Sequence, residues 1–157
     1  MGLILSKKFT SDSIIFVMSK ISFEKMINAS MQKTFDVLVD FRNFEKILPE
    51  YYSSIAPKSI RDESSLVVEH LHLSGNEFVI MAKHFSKPPN LHETRVVGGD
   101  IKGSYIIEKI SQCGHKTKLI VDAEIVSTKG IKNIFKKHDY ESELKNLYQK
   151  FINIIEE

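Results

Sequence analysis

The sequence predicts an α+β fold: a curved, seven-stranded antiparallel sheet wrapped around one long C-terminal helix, with two short helices after the first strand. Three observations predict it. Apolar and polar residues alternate with a period of two through the middle of the chain, and turn residues break that alternation at regular intervals. Two short segments of helical spacing follow the first alternating run. The last part of the chain switches to a 3.6-residue stripe. At 157 residues the chain is one domain's worth, long enough to bury roughly 70% of its unfolded surface in a core of its own.

Taken in order, residues 1–17 read differently from the rest and are expected to be a flexible extension, with an ordered extra strand as the alternative. They contain Lys7-Lys8 and a short apolar run, Ile14-Ile15-Phe16-Val17, but neither the long apolar centre nor the small-residue cleavage site of a secretory leader. The folded domain is placed at 18–157. Ile21, Phe23, Lys25 and Ile27 alternate with polar neighbours as the first strand. Asn28-Ala29-Ser30 stops it, and Ser30 suits the N-cap of a helix over Ser30–Phe41. A second helix over Asn43–Leu48 is ended by Pro49. Six strands are then predicted, at Ser53–Arg61, Ser65–Leu73, Glu77–Phe85, Leu91–Val97, Gly103–Ser111 and Lys116–Val126. Each separator contains the Gly, Pro, Asn or Asp that reverses a chain. From Ile131 to Ile155 the apolar residues follow a helical stripe roughly 39 Å long.

Composition excludes several function classes. With 42% hydrophobic and 27% charged residues the chain is an ordinary globular one, and a formal charge of +2 is too small to point to a nucleic acid. No run approaches 18 apolar residues, so no helical membrane insertion is expected. One cysteine, Cys113, cannot form an intramolecular disulfide and fits a reducing cytoplasm. The protein is expected to be a monomer or a weak homodimer.

Strand pairing sorts side chains into faces. A two-residue turn at Gly75-Asn76 makes paired residues sum to 151, with Ser74 opposite Glu77. One face then carries Val67, Glu69, Leu71 and Leu73 with Phe78, Ile80, Ala82 and His84. It is the more apolar face and is expected to line an interior cavity, with Glu69 and His84 as diagonal polar anchors. A turn of odd length would swap the faces. The pair reads as a ligand-orienting or acid/base couple, or as a semi-buried ion pair with no further role. If Lys87–Asn90 is a four-residue connection, Glu93 and Arg95 join this face, where Arg95 can hold a ligand carboxylate. As a surface ion pair they need no ligand.

Other motifs carry less. His70-Leu71-His72 offers two imidazoles on one face, but no third ligand is fixed beside them, so no metal is expected. Cys113-Gly114-His115 has no acid partner for nucleophilic chemistry. Gly98–Ser104 lacks the lysine of a phosphate loop and leads into a strand, not a helix. Lys129, Lys132, Lys136 and Lys137 are followed by Asp139, Glu141 and Glu143 and read as a solvated face. No cofactor is expected.

A bent sheet touching one helix along only part of its length leaves an apolar hollow between them. Ile27-Asn28-Ala29-Ser30, Lys33–Leu38 with Asp40, and Asn43–Pro49 resemble the opening of the START/polyketide-cyclase-like (SRPBCC, birch-pollen-allergen) superfamily, and Gly98–Gly103, Tyr105–Lys109 and Thr117-Lys118-Leu119 resemble its late strand pair. The resemblance covers about Lys20 to Glu157. It implies a helix-grip fold with a deep cavity for lipids, polyketides, quinones or steroids. The candidate ligand-binding residues are Glu69, Leu71, Phe78, Ile80, His84, Arg95, Tyr105, Val121, Phe135 and Tyr148. The leading expectation is a protein that binds or carries a hydrophobic small molecule. The alternatives are a cyclase or dehydratase in which His84, Glu69 or Tyr105 moves protons, and an interaction module working through its surface.

Overall fold

The computed structural model of the chain describes residues 2–9, 14–73, 75–127 and 140–157. Its elements are β1 (Gly2–Phe9), β2 (Ile14–Ile27), α1 (Met31–Val39), a 3-10 turn (Phe41–Asn43), α2 (Phe44–Ile47), β3 (Tyr52–Ile60), β4 (Ser64–Leu73), β5 (Asn76–Lys87), β6 (Leu91–Gly99), β7 (Tyr105–Cys113), β8 (Lys116–Ser127) and α3 (Tyr140–Ile155). All strands join one antiparallel sheet in the order β1-β2-β8-β7-β6-β5-β4-β3. The predicted curved seven-stranded sheet is β2 to β8, with the two short helices after its first strand and the long helix at its end. At the start, Gly2–Phe9 pairs with β2 as an eighth, edge strand.

Local chemistry explains the boundaries. Ser30 caps α1 by accepting a hydrogen bond from the Lys33 amide at 3.1 Å, satisfying a donor that the first turn leaves free. The β4–β5 ladder closes with Leu73 opposite Asn76, so the reversal falls one position earlier than expected, with Gly75 at φ +73°. Paired residues therefore sum to 149, with Leu73 opposite Asn76 and Glu69 opposite Ile80. A slip of two positions keeps every side chain on its expected face. Between β5 and β6 the slip is odd. Lys87 pairs with Leu91 and His84 with Thr94, which turns His92, Thr94 and Val96 inward and Glu93 and Arg95 outward. The expected Gly98-Gly99-Asp100 turn also moves, because β6 continues through both glycines and the reversal falls at Asp100–Ser104. Gly99, at φ +78°, lies so close to β5 that a Cβ there would sit 2.3 Å from the Val79 carbonyl oxygen.

The helix lies on the inner face of the sheet. Leu144, Leu147, Tyr148, Phe151, Ile152 and Ile155 are buried there, with Phe151 edge-on to Phe44 and Tyr148 edge-on to Phe23. Each such burial contributes about 1.5–3 kcal/mol. The end of α3 is held by Glu156, which accepts from the Asn28 amide, and by Lys33, whose Nζ donates to the Glu157 carbonyl. The expected earlier part of this helix, including Ile131, Ile134, Phe135 and His138, lies outside the described residues. So do the basic residues Lys129, Lys132, Lys136 and Lys137.

Candidate functional site

Between sheet and helix is a cavity of about 60 Å³. Leu38, Leu71, Leu73, Ile80, Leu147 and Phe151 are among its apolar walls, and the β6–β7 turn contributes Ile101. Ile101 holds φ +50°, a left-handed backbone rare for a β-branched side chain, and is nonetheless 6% exposed. Burying its side chain offsets the strain.

One wall carries a chain of charged groups. Glu69, His84, His92 and Glu108 come from β4, β5, β6 and β7, four strands adjacent in the sheet, and all face inward. Each is at most 6% exposed. Glu69 Oε1 lies 2.6 Å from His84 Nε2, and His84 Nδ1 lies 3.1 Å from His92 Nε2. His92 Nδ1 is hydrogen-bonded to Glu108. Tyr148 from the helix and Glu108 both border the cavity. The two imidazoles lie within 9° of parallel, Thr94 Oγ1 is 3.3 Å from His84 Nδ1, and the Phe41 ring stacks on His84 at 5.0 Å. Buried charge survives only when paired in this way.

Two buried phenols lie beside this chain. Burial, then the Glu108 charge and its hydrogen bond, push the Tyr148 phenol well above its ordinary 10.0. Burial, then the charges of Glu69 and Glu108, do the same to Tyr52. Both phenols are therefore donors at neutral pH.

The sequence-derived candidates separate into groups. Glu69, Leu71, Ile80, His84 and Tyr148 meet at the cavity. Tyr105 borders it, with its ring beneath the outward-facing Arg95. Phe78 and Val121 are fully buried in the core without bordering the cavity. Phe135 lies outside the described residues. Arg95 is the correction: its side chain is 53% exposed and paired with Glu93, because the odd β5–β6 register turns it outward. His92, Thr94, Glu108 and Tyr52 are site residues that sequence reasoning misses. Glu108 was detectable as a carboxylate between Ile106 and Ile110 at the apolar phase of a strand. His70 and His72 lie on the outer face, His70 beside Glu77 and His72 bonded to Ser53. Among the described residues no group of three His, Cys, Asp or Glu converges to hold a metal. No helix among them is long and apolar enough to cross a membrane.

A curved antiparallel sheet gripping a C-terminal helix, with short helices after its first long strand, is the helix-grip fold. Its structural neighbours are START- and SRPBCC-type proteins. A START superfamily protein from Mycobacterium smegmatis superposes with a TM-score of 0.72 at 17% identity, over 87% of this chain and 97% of the other. TTHA0849 from Thermus thermophilus gives 0.73 at 10% identity, over 87% and 97%. The Zhui aromatase/cyclase from a Streptomyces species gives 0.63 at 11% identity, over 88% and 91%. These identities establish a shared fold. No protein-family model matches the sequence, and no curated protein matches it by sequence.

Proposed function

We propose that this protein binds a small, mostly apolar molecule between its sheet and its C-terminal helix, in the reducing cytoplasm where the exposed Cys113 remains a thiol. The observation that carries the reading is a cavity between sheet and helix with mostly apolar walls and one line of polar side chains, the usual construction of a small-molecule site. Sharing a fold with aromatase/cyclases and a START protein supports it.

Volume sets the size of the guest. Sites for lipids, quinones or polyketide chains need roughly 300 Å³ or more, and a cavity of roughly 150 Å³ accepts benzene. About 60 Å³ suits a compound of a few carbons, with a single small ring as a test of its upper limit. A guest that buries about 200 Å² of apolar surface gains about 5 kcal/mol, and ordering costs then leave millimolar to micromolar affinity.

Two measurements test this. Native mass spectrometry of freshly purified protein should show a small co-purifying mass, or an empty protein that takes up added ring compounds. Titration with cyclopentanone or benzene should produce saturable methyl NMR shifts at Leu71, Ile80 and Leu147. No saturable shift at any of the three with either compound refutes the reading.

A further inference from the structure

Resting on that reading of the cavity, we infer that its guest is a small alkylammonium cation, with the ammonium at the Glu69–His84–His92–Glu108 line and the alkyl end against the apolar walls.

The charge balance of the cavity is the first ground. Three contacts join the four groups: Glu69 Oε1 to His84 Nε2, His84 Nδ1 to His92 Nε2, and His92 Nδ1 to Glu108. Each contact holds one proton between its two atoms. Two carboxylates and two imidazoles that share three protons carry one net negative charge. A cation of the protein's own would ordinarily balance it. Among the described residues, however, no lysine or arginine is buried and none borders the cavity. The ion pairs of Glu69 and Glu108 are made to His84 and His92, inside the chain itself. In a low-dielectric interior such a charge attracts an opposite one strongly.

The other walls supply two independent grounds. Tyr52 from β3 is 9% exposed and borders the cavity, and no described residue hydrogen-bonds its hydroxyl. Its oxygen is therefore open to accept from an N–H group of a guest. Tyr52, Phe44, Phe151 and Tyr148 form a continuous run of rings, with successive centroids 5.0, 5.2 and 5.7 Å apart, and all four border the cavity. Aromatic surface packs against alkyl groups and, unlike an aliphatic wall, also attracts a cation. A neutral guest would leave the chain's charge unanswered, and an anion would be repelled by it. The volume limits the alkyl part to a few carbons.

Ethylammonium chloride is the probe. Ethanol is the neutral compound with the same number of heavy atoms, sodium acetate the anion, and sodium chloride the salt control. Binding is read from the methyl NMR shifts of Leu71, Ile80 and Leu147 at pH 7. Ethylammonium should bind at least about 10-fold tighter than ethanol, the scale of one charge-assisted hydrogen bond. Acetate and sodium chloride should give no saturable shift. Glu69→Gln combined with Glu108→Gln keeps all three contacts, because one amide can donate and the other accept, and brings the net charge to zero. That variant should bind ethylammonium at least about 10-fold more weakly and ethanol within about 3-fold of wild type. Ethanol or acetate binding as tightly as ethylammonium overturns the inference. So does the same shift with sodium chloride, or unchanged ethylammonium affinity in the folded variant. In each of these cases a saturable shift with cyclopentanone or benzene leaves the binding site standing. No saturable shift with any of these compounds overturns both. If the variant does not fold, the wild-type comparison of ethylammonium with ethanol and acetate decides alone.

Discussion

Removing one link of the buried chain should strand its partner, so removing two touching links together should cost less than the two single losses added. His92→Phe keeps the ring volume but deletes both nitrogens of a side chain 3% exposed. It leaves the Glu108 carboxyl, 3% exposed, without its imidazole partner, and leaves His84 Nδ1 with only Thr94 Oγ1 at 3.3 Å. An uncompensated buried charge costs about 3–5 kcal/mol. For a chain of this length each kcal/mol lowers Tm by roughly 2–4 °C, so the expected loss is about 6–20 °C. Glu108→Leu leaves His92 Nδ1 without its partner, at about 1–3 kcal/mol for the stranded group. Combining the two substitutions removes the charge and its partner together. The double variant should therefore be less destabilised than the sum of the singles by about 1–3 kcal/mol, the scale of coupling between touching groups. Urea unfolding of the four proteins at pH 7 measures this directly. Strict additivity would refute the claim that these residues act as one unit.

Phe78→Ala should destabilise by about 3–5 kcal/mol, because Phe78 is 0% exposed and its loss empties core volume; chemical denaturation reads this. Gly99→Ala should lose at least about 1–2 kcal/mol from the left-handed backbone alone, with the Val79 carbonyl contact adding to it; a Tm equal to wild type would contradict the described turn. Tyr148 is a phenol held protonated in the fold, so its contribution to stability is complete below 10.0 and is lost as pH rises through the higher folded value. Unfolding monitored by phenolate absorbance should therefore begin above about pH 10, and Tyr148→Phe should flatten that part of the profile. Arg95→Ala should change stability by less than about 1 kcal/mol and leave cyclopentanone binding intact, since its ion pair is on the outer surface.

Much of the architecture was legible because it depends on local pattern. Alternation marked β3 to β8, Ser30 marked the start of α1, and the stripe from Leu144 to Ile155 marked the helix that the sheet grips. The inner face of β4 and β5 was also legible, since an even slip of the turn leaves side-chain parity unchanged and Glu69 and His84 remain inside. A carboxylate or imidazole at the apolar phase of a strand was the signal for the site, and Glu108 between Ile106 and Ile110 carries it as clearly as Glu69 between Val67 and Leu71.

Parity across a longer connection was not legible. Whether 87–90 leaves an even or odd slip depends on how two prolines and Asn90 turn the chain, and that decides whether Arg95 or His92 faces the cavity. The meeting of Glu69 with His84 was also a product of tertiary shape. Glu69 sits opposite Ile80, four positions from His84, and only a concave sheet lets their side chains converge to 2.6 Å. Cavity size likewise belongs to packing, because Ile101 enters from a turn whose strained backbone no local preference favours. Sequence determined which side chains alternate and where the chain turns. The closed sheet and helix decided which polar groups meet and how much room is left beside them, because both depend on residues far apart in sequence approaching within a hydrogen bond's length.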